Sequence, residues 1–127
     1  MSIEDRTLSE RVAAVREPDD LHYVIGNFLD RFRRDPDPAL LADEPPLLND
    51  RLSDDGLADA YVAAVASHLC QEHGLPWPTW TGTAARIKKA PWFAAKTPNL
   101  KAILIQESPT AFRIRNLFVS ANALSRA

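Results

Sequence analysis

The chain has 127 residues, which fits one domain, residues 1–127, and is too short for two ordinary ones. Its 46% hydrophobic content is enough to bury a core without staples, its single cysteine, Cys70, excludes an internal disulfide, and no apolar run approaches the roughly 20 residues of a membrane span. The net charge of −2 hides a split: residues 1–74 carry 7 basic and 16 acidic side chains, whereas residues 75–127 carry 8 basic ones against a single acid, Glu107.

The N-terminus is polar and acidic with no apolar stretch, so the sequence reads as cytoplasmic, without a signal peptide or membrane association. Thr7 and Glu10 have capping-box spacing, and Leu8, Val12 and Val15 follow at helical intervals, which predicts a short first helix ending before Pro18. Asp19 or Asp20 can cap the next helix, about residues 20–34. There Leu21, Val24, Ile25, Phe28, Leu29 and Phe32 form the clearest amphipathic pattern in the chain, and Arg31, Arg33 and Arg34 suit the negative end of the helix dipole. Gly26 inside that helix costs about 1 kcal/mol relative to Ala, and a close helix–helix approach would explain it.

Pro36, Pro38, Pro45 and Pro46 make residues 35–55 a loop-rich connection with one short helical turn at Pro38–Leu41. A second long amphipathic helix is expected at about 56–73, with Leu57, Tyr61, Val65, His68 and Leu69 on one face and Gly74 just past its end. Prolines and tryptophans then dominate Leu75–Trp80, a crosspiece over the helices. A short helix is expected at Thr83–Ala90, stopped by Pro91. Thr97-Pro98 and Ser108-Pro109 each carry the grammar of a helix start. Residues 100–105 fit either a helix or a buried strand, residues 117–119 can be extended, and Ser120 can cap a last turn. The fold class is all-α, a small irregular bundle of two long helices and several short C-terminal ones, with room for a minor strand pair.

Chemistry-bearing motifs are scarce. His68, Cys70, Glu72 and His73 lack the two-His spacing that lets a helix grip zinc, and no second Cys/His pair completes a site. No nucleophile elbow or phosphate-cradling glycine loop is present. The paired carboxylates Asp19/Asp20 and Asp54/Asp55 stand where helix starts account for them. Catalytic, cofactor and metal sites are therefore not assigned.

The remaining signal is the basic, aromatic C-terminal half. Trp80, Arg86, Lys88, Lys89, Trp92, Arg113 and Arg115 form a candidate partner-binding face, since Trp and Arg are enriched at interface hot spots. The charge split also fits internal neutralisation of one half by the other, or charges spread over a mixed surface. The basic residues beside Trp92 and Phe93 suit a nucleic-acid strand as well.

Pro76-Trp77-Pro78-Thr79-Trp80, Pro91-Trp92-Phe93, Leu100-Lys101-Ala102, Glu107-Ser108-Pro109 with Phe112, Arg113, Arg115-Asn116 and Phe118-Val119, and the ending Ala123-Leu124-Ser125-Arg126-Ala127 carry a resemblance. Residues 75–127 look like a group of small, helical bacterial proteins commonest in actinobacteria and their neighbours. Their genes lie beside toxin-like or nucleotidyltransferase-like genes, and members resemble antitoxin components. The resemblance implies a non-enzymatic protein-interaction module with a protein partner such as a cognate toxin, and brings no active site with it. A nucleic-acid-binding regulator is the alternative and an enzyme the third reading; exposed tryptophans would support a homodimer.

Overall fold

The computed structural model describes residues 5–126. Seven α-helices lie among them: α1 (Leu8–Ala13), α2 (Pro18–Arg34), α3 (Ala39–Ala42), α4 (Asn49–Leu52), α5 (Leu57–Glu72), α6 (Pro98–Glu107) and α7 (Thr110–Arg113). Two-residue strands, β1 (Trp92–Phe93) and β2 (Leu117–Phe118), complete the mainly helical fold.

The helix starts follow local chemistry. The Thr7 hydroxyl accepts the Glu10 N–H at 3.1 Å and the Glu10 carboxylate accepts the Thr7 N–H at 3.0 Å, the reciprocal cap that the spacing implied. The second helix starts earlier than expected, because Pro18 takes the first helical position, where a missing N–H costs nothing. Asp20 does not precede the helix; it reaches back from inside it to accept the N–H groups of Arg16 and Glu17. Leu75 N–H closes the end of α5 by donating to the Cys70 carbonyl at 2.8 Å, with Gly74 left-handed at φ 66° between them.

α5 departs from the amphipathic reading. Ala58 to Ser67, except half-buried Tyr61, are all buried, so the helix is enclosed on nearly every side. Its alanines let neighbours come close, and it packs against α2, α4, α7 and two 3-10 turns at Thr79–Gly82 and Ala84–Arg86. Phe28, Phe32, Leu41, Leu48, Leu69, Phe112 and Leu117 belong to the same apolar cluster, which thus draws on both the acidic and the basic half of the chain. Trp80 is the expected crosspiece: it is buried and donates from Nε1 to the Leu41 carbonyl at 2.9 Å.

Other expectations are revised. The helix foreseen at Thr83–Ala90 shrinks to the 3-10 turn Ala84–Arg86, and α4 adds an unforeseen turn in the 35–55 connection. Residues 100–105 are helix, not strand, since the Thr97 hydroxyl caps the Leu100 N–H and Pro98 follows it. The strand expected near 117–119 exists, paired in parallel with β1 in the register Trp92↔Leu117 and Phe93↔Phe118. The Phe93 and Phe118 rings stack with centroids 4.9 Å apart. Gly26 is explained by Arg126: a Cβ there would stand 2.9 Å from a guanidinium nitrogen that lies over the helix.

Candidate functional site

The seven residues proposed as a partner face do not form one. Arg86 has no exposed surface, Arg115 is 2% exposed, and Trp80 and Lys88 are also buried. Trp92 is half-buried in β1, and Lys89 and Arg113 are exposed.

The buried cations are fold residues. Arg86 reaches Asp59 at 3.9 Å and Glu44 at 3.3 Å, donates to the carbonyls of Asp59 and Pro45, and lies over the Trp80 ring. Asp59 accepts the Leu48 N–H at 2.6 Å; burial pushes its carboxyl up, against the opposing pull of that N–H and of Arg86. Arg115 donates to the Ala111 and Thr81 carbonyls and the Ser67 hydroxyl, with the Trp77 ring beside it. Burial pulls its guanidinium down to about 10, still charged at neutral pH. Lys88 meets Asp55 at 3.3 Å and Arg126 meets Asp30 at 3.1 Å. Three of the eight C-terminal cations, Arg86, Lys88 and Arg126, are thus neutralised by the acidic half, and Arg115 is spent on backbone and hydroxyl oxygens.

Beside exposed Lys89, Lys96 and Arg113, the C-terminal half exposes large aliphatic side chains. Over one turn and a half α6 carries Leu100, Ile103, Leu104 and Ile105, and only Leu104 is buried. Leu100, Ile103 and Ile105 remain 50%, 49% and 49% exposed, and Ile114, just after α7, 51%. Leu100 and Ile103 are three apart and so neighbours on one flank of the helix. Lys101 lies over the Phe93 ring at 5.2 Å, and Arg113 folds back to donate to the Ser108 carbonyl at the end of α6. Ser108 fixes the far end of α6: its hydroxyl accepts the Val119 N–H at 2.9 Å and reaches the Leu104 and Val119 carbonyls. Residue reasoning missed this surface. The available signal was the crowding of four large aliphatics into six positions, more than one narrow contact stripe can cover.

A second candidate is built by both halves of the sequence. A cavity of about 390 Å³ opens between α2, the start of α5 and residues 123–126, with His22, Asp54, Tyr61, Trp92 and Arg126 in its wall. Tyr61 packs edge-on against Phe112, and burial raises its hydroxyl.

The His68–His73 region is an ion-pair node. Glu72 receives Arg33 through both carboxylate oxygens, at 2.8 and 3.2 Å, and has His68 at 3.2 Å and His73 at 3.8 Å. Burial raises its carboxyl, but the Arg33 hydrogen bond, the Arg33 charge and the two histidines together carry it below the ordinary value. Cys70 is buried, and burial raises its thiol. Among the described residues no group of three His, Cys, Asp or Glu side chains is placed to hold a metal, and no helix is long and apolar enough to cross a membrane. No protein-family model, no curated protein and no solved structure matches the chain.

Proposed function

We propose that this chain is a non-enzymatic protein-interaction module that docks a partner on the exposed flank of α6. The carrying observation is that α6 buries only one of its four large aliphatic residues and leaves the neighbours Leu100 and Ile103 half-exposed on one flank, with Ile105 half-exposed on the other side of the helix. Large aliphatic side chains grouped on one exposed element mark an interaction surface more often than singly scattered ones do. Lys101 in the same helix, and Lys89, Lys96 and Arg113 exposed elsewhere in the basic half, favour a partner with acidic character around its apolar patch. The docking surface therefore stays in the basic half, but its core is aliphatic and the buried arginines have no part in it. The resemblance of residues 75–127 to antitoxin components makes a cognate toxin the first partner to test, and the lone buried Cys70 suits a reducing cytoplasm.

The test is a pull-down of the tagged chain from its native host, at low and moderate salt, with and without nuclease, against L100E/I103E and K101E/R113E. One stoichiometric protein should survive nuclease, be lost with L100E/I103E and be weakened with K101E/R113E. Retention of that protein by L100E/I103E would overturn the docking surface. The second reading, nucleic-acid binding, rests on Lys89, Lys96, Lys101 and Arg113. With four phosphates neutralised, binding would fall with salt at a log–log slope of about −3.6. Recovery of nucleic acid alone, with that slope, would move the function there.

A further inference from the structure

We infer that the cavity between α2, α5 and residues 123–126 is a binding site for a small organic amine with an aromatic or branched aliphatic body. The inference is independent of the α6 surface, which lies on other elements.

Size and wall chemistry define the body of the ligand. At about 390 Å³ the cavity falls in the range of small-molecule sites. α2 contributes Leu21, Ile25 and Leu29, α5 contributes Leu57 and Tyr61, and Trp92 comes from β1. That wall is apolar with two aromatic rings, and apolar concavities of this kind take apolar groups in preference to water.

Charge defines the head group. A carboxylate, Asp54, and a guanidinium, Arg126, stand in the wall together with His22. Arg126 is already paired, since its Nε and one terminal nitrogen donate to the two carboxylate oxygens of Asp30 at 3.1 and 3.2 Å. Asp54 is half satisfied. Its Oδ2 accepts the Ala58 N–H at 2.9 Å, while its Oδ1 is buried and has no donor from the protein. That oxygen is enclosed by the protein, so what Asp54 offers at the wall is its negative charge, which no cation among the described residues pairs, and a cationic group is the complement of that charge. The need is for a cation, not an anion. Tyr61 and Trp92 add π faces, which attract an ammonium as well as an aryl body. An acid would meet the opposite situation, with the guanidinium of the wall taken and Asp54 repelling it.

The experiment is a calorimetric and ¹H–¹⁵N NMR titration of the whole protein with 2-phenylethylamine, cyclohexylamine and tryptamine, beside 2-phenylethanol and phenylacetate. At least one amine should bind saturably by millimolar concentration, with shifts centred on Leu21, Ile25, Leu57 and Tyr61. The matched alcohol should bind at least tenfold more weakly and phenylacetate not at all. D54N keeps an acceptor for the Ala58 N–H and should lose at least tenfold in amine affinity. Its fold is checked by its own spectrum, and the amine-to-alcohol ratio of the unaltered protein tests the same point should D54N misfold. Absence of saturable binding by all three amines overturns the inference, and so does equal binding of 2-phenylethylamine and 2-phenylethanol, which would leave an apolar cavity with no preference for charge.

Discussion

Arg86 and Asp59 show how much of this molecule hangs on single buried groups. Asp59 holds both the Leu48 N–H and one end of the Arg86 guanidinium, and both lie in the interior. Asp59→Ala would leave a buried cation with only the half-exposed Glu44 as counter-charge and a buried N–H with no acceptor. Removing one partner from a buried pair costs about 3–5 kcal/mol. D59A should lose that much in urea denaturation, and D59N distinctly less, because an amide oxygen can still accept from Leu48. A D59A midpoint equal to that of the unaltered protein would show that Arg86 is carried by its carbonyl partners and Glu44 alone. None of this was visible in the sequence. Arginine is almost never fully buried, so the residue type alone puts Arg86 and Arg115 on the surface. Their burial depends on carbonyls of Pro45, Asp59, Thr81 and Ala111 that only the folded chain brings together.

Helix ends were the most legible elements, because a cap is a contact between near neighbours. Thr7 with Glu10, Thr97 with Pro98, and Gly74 each act as their spacing implies. Elements set by distant contacts were not. β1 exists because Trp92 N–H donates to the Asn116 carbonyl and Ala94 N–H to that of Phe118, and no periodicity spans two residues. The α5 face was misread because the burial of a helix on all sides is decided by what surrounds it. α2 offers a direct test of one such contact. Gly26 is tolerated mid-helix because the Arg126 guanidinium lies where a side chain would go, yet that group is the far end of a flexible, exposed side chain. Gly26→Ala should displace it cheaply and gain most of the roughly 1 kcal/mol that alanine has over glycine in a helix. The melting temperature should rise, and a fall would mean that the Arg126 contact holds residues 123–126 in place.

At the scale of the molecule, the charge split is partly an internal arrangement. Arg86, Lys88 and Arg126 each pair with a carboxylate of the acidic half, so neutralisation of one half by the other accounts for part of the asymmetry seen in the sequence. The acidic half also holds its own node at Glu72, between α2 and α5. The folded Glu72 carboxyl lies below its ordinary value of 4.5, so its stabilisation is complete above that value and is lost as pH falls through the folded value. Thermal unfolding followed from neutral pH down through the carboxylate range should therefore show a loss below about 4.5. E72Q should melt lower at neutral pH and lose less on acidification. A parallel pair of curves would place the acid sensitivity on other carboxylates.

The short parallel pair has a consequence for how this protein can change over generations. β1 and β2 pinch the chain at 92–93 and 117–118, and within the excursion they close α7 is anchored in the core by Phe112 while α6 lies outside it. α6 touches the body through Leu104 and the Ser108–Val119 bonds, while the core proper lies elsewhere. The entropy of closing such a loop grows slowly, by only about 0.6 kcal/mol for a doubling of its length. Insertions, deletions and aliphatic swaps on the outer side of α6 thus leave the core untouched. The outer side of α6 can diverge, while selection on the rest of the chain, α7 included, stays fixed on keeping Arg86, Phe112, Arg115 and α5 enclosed.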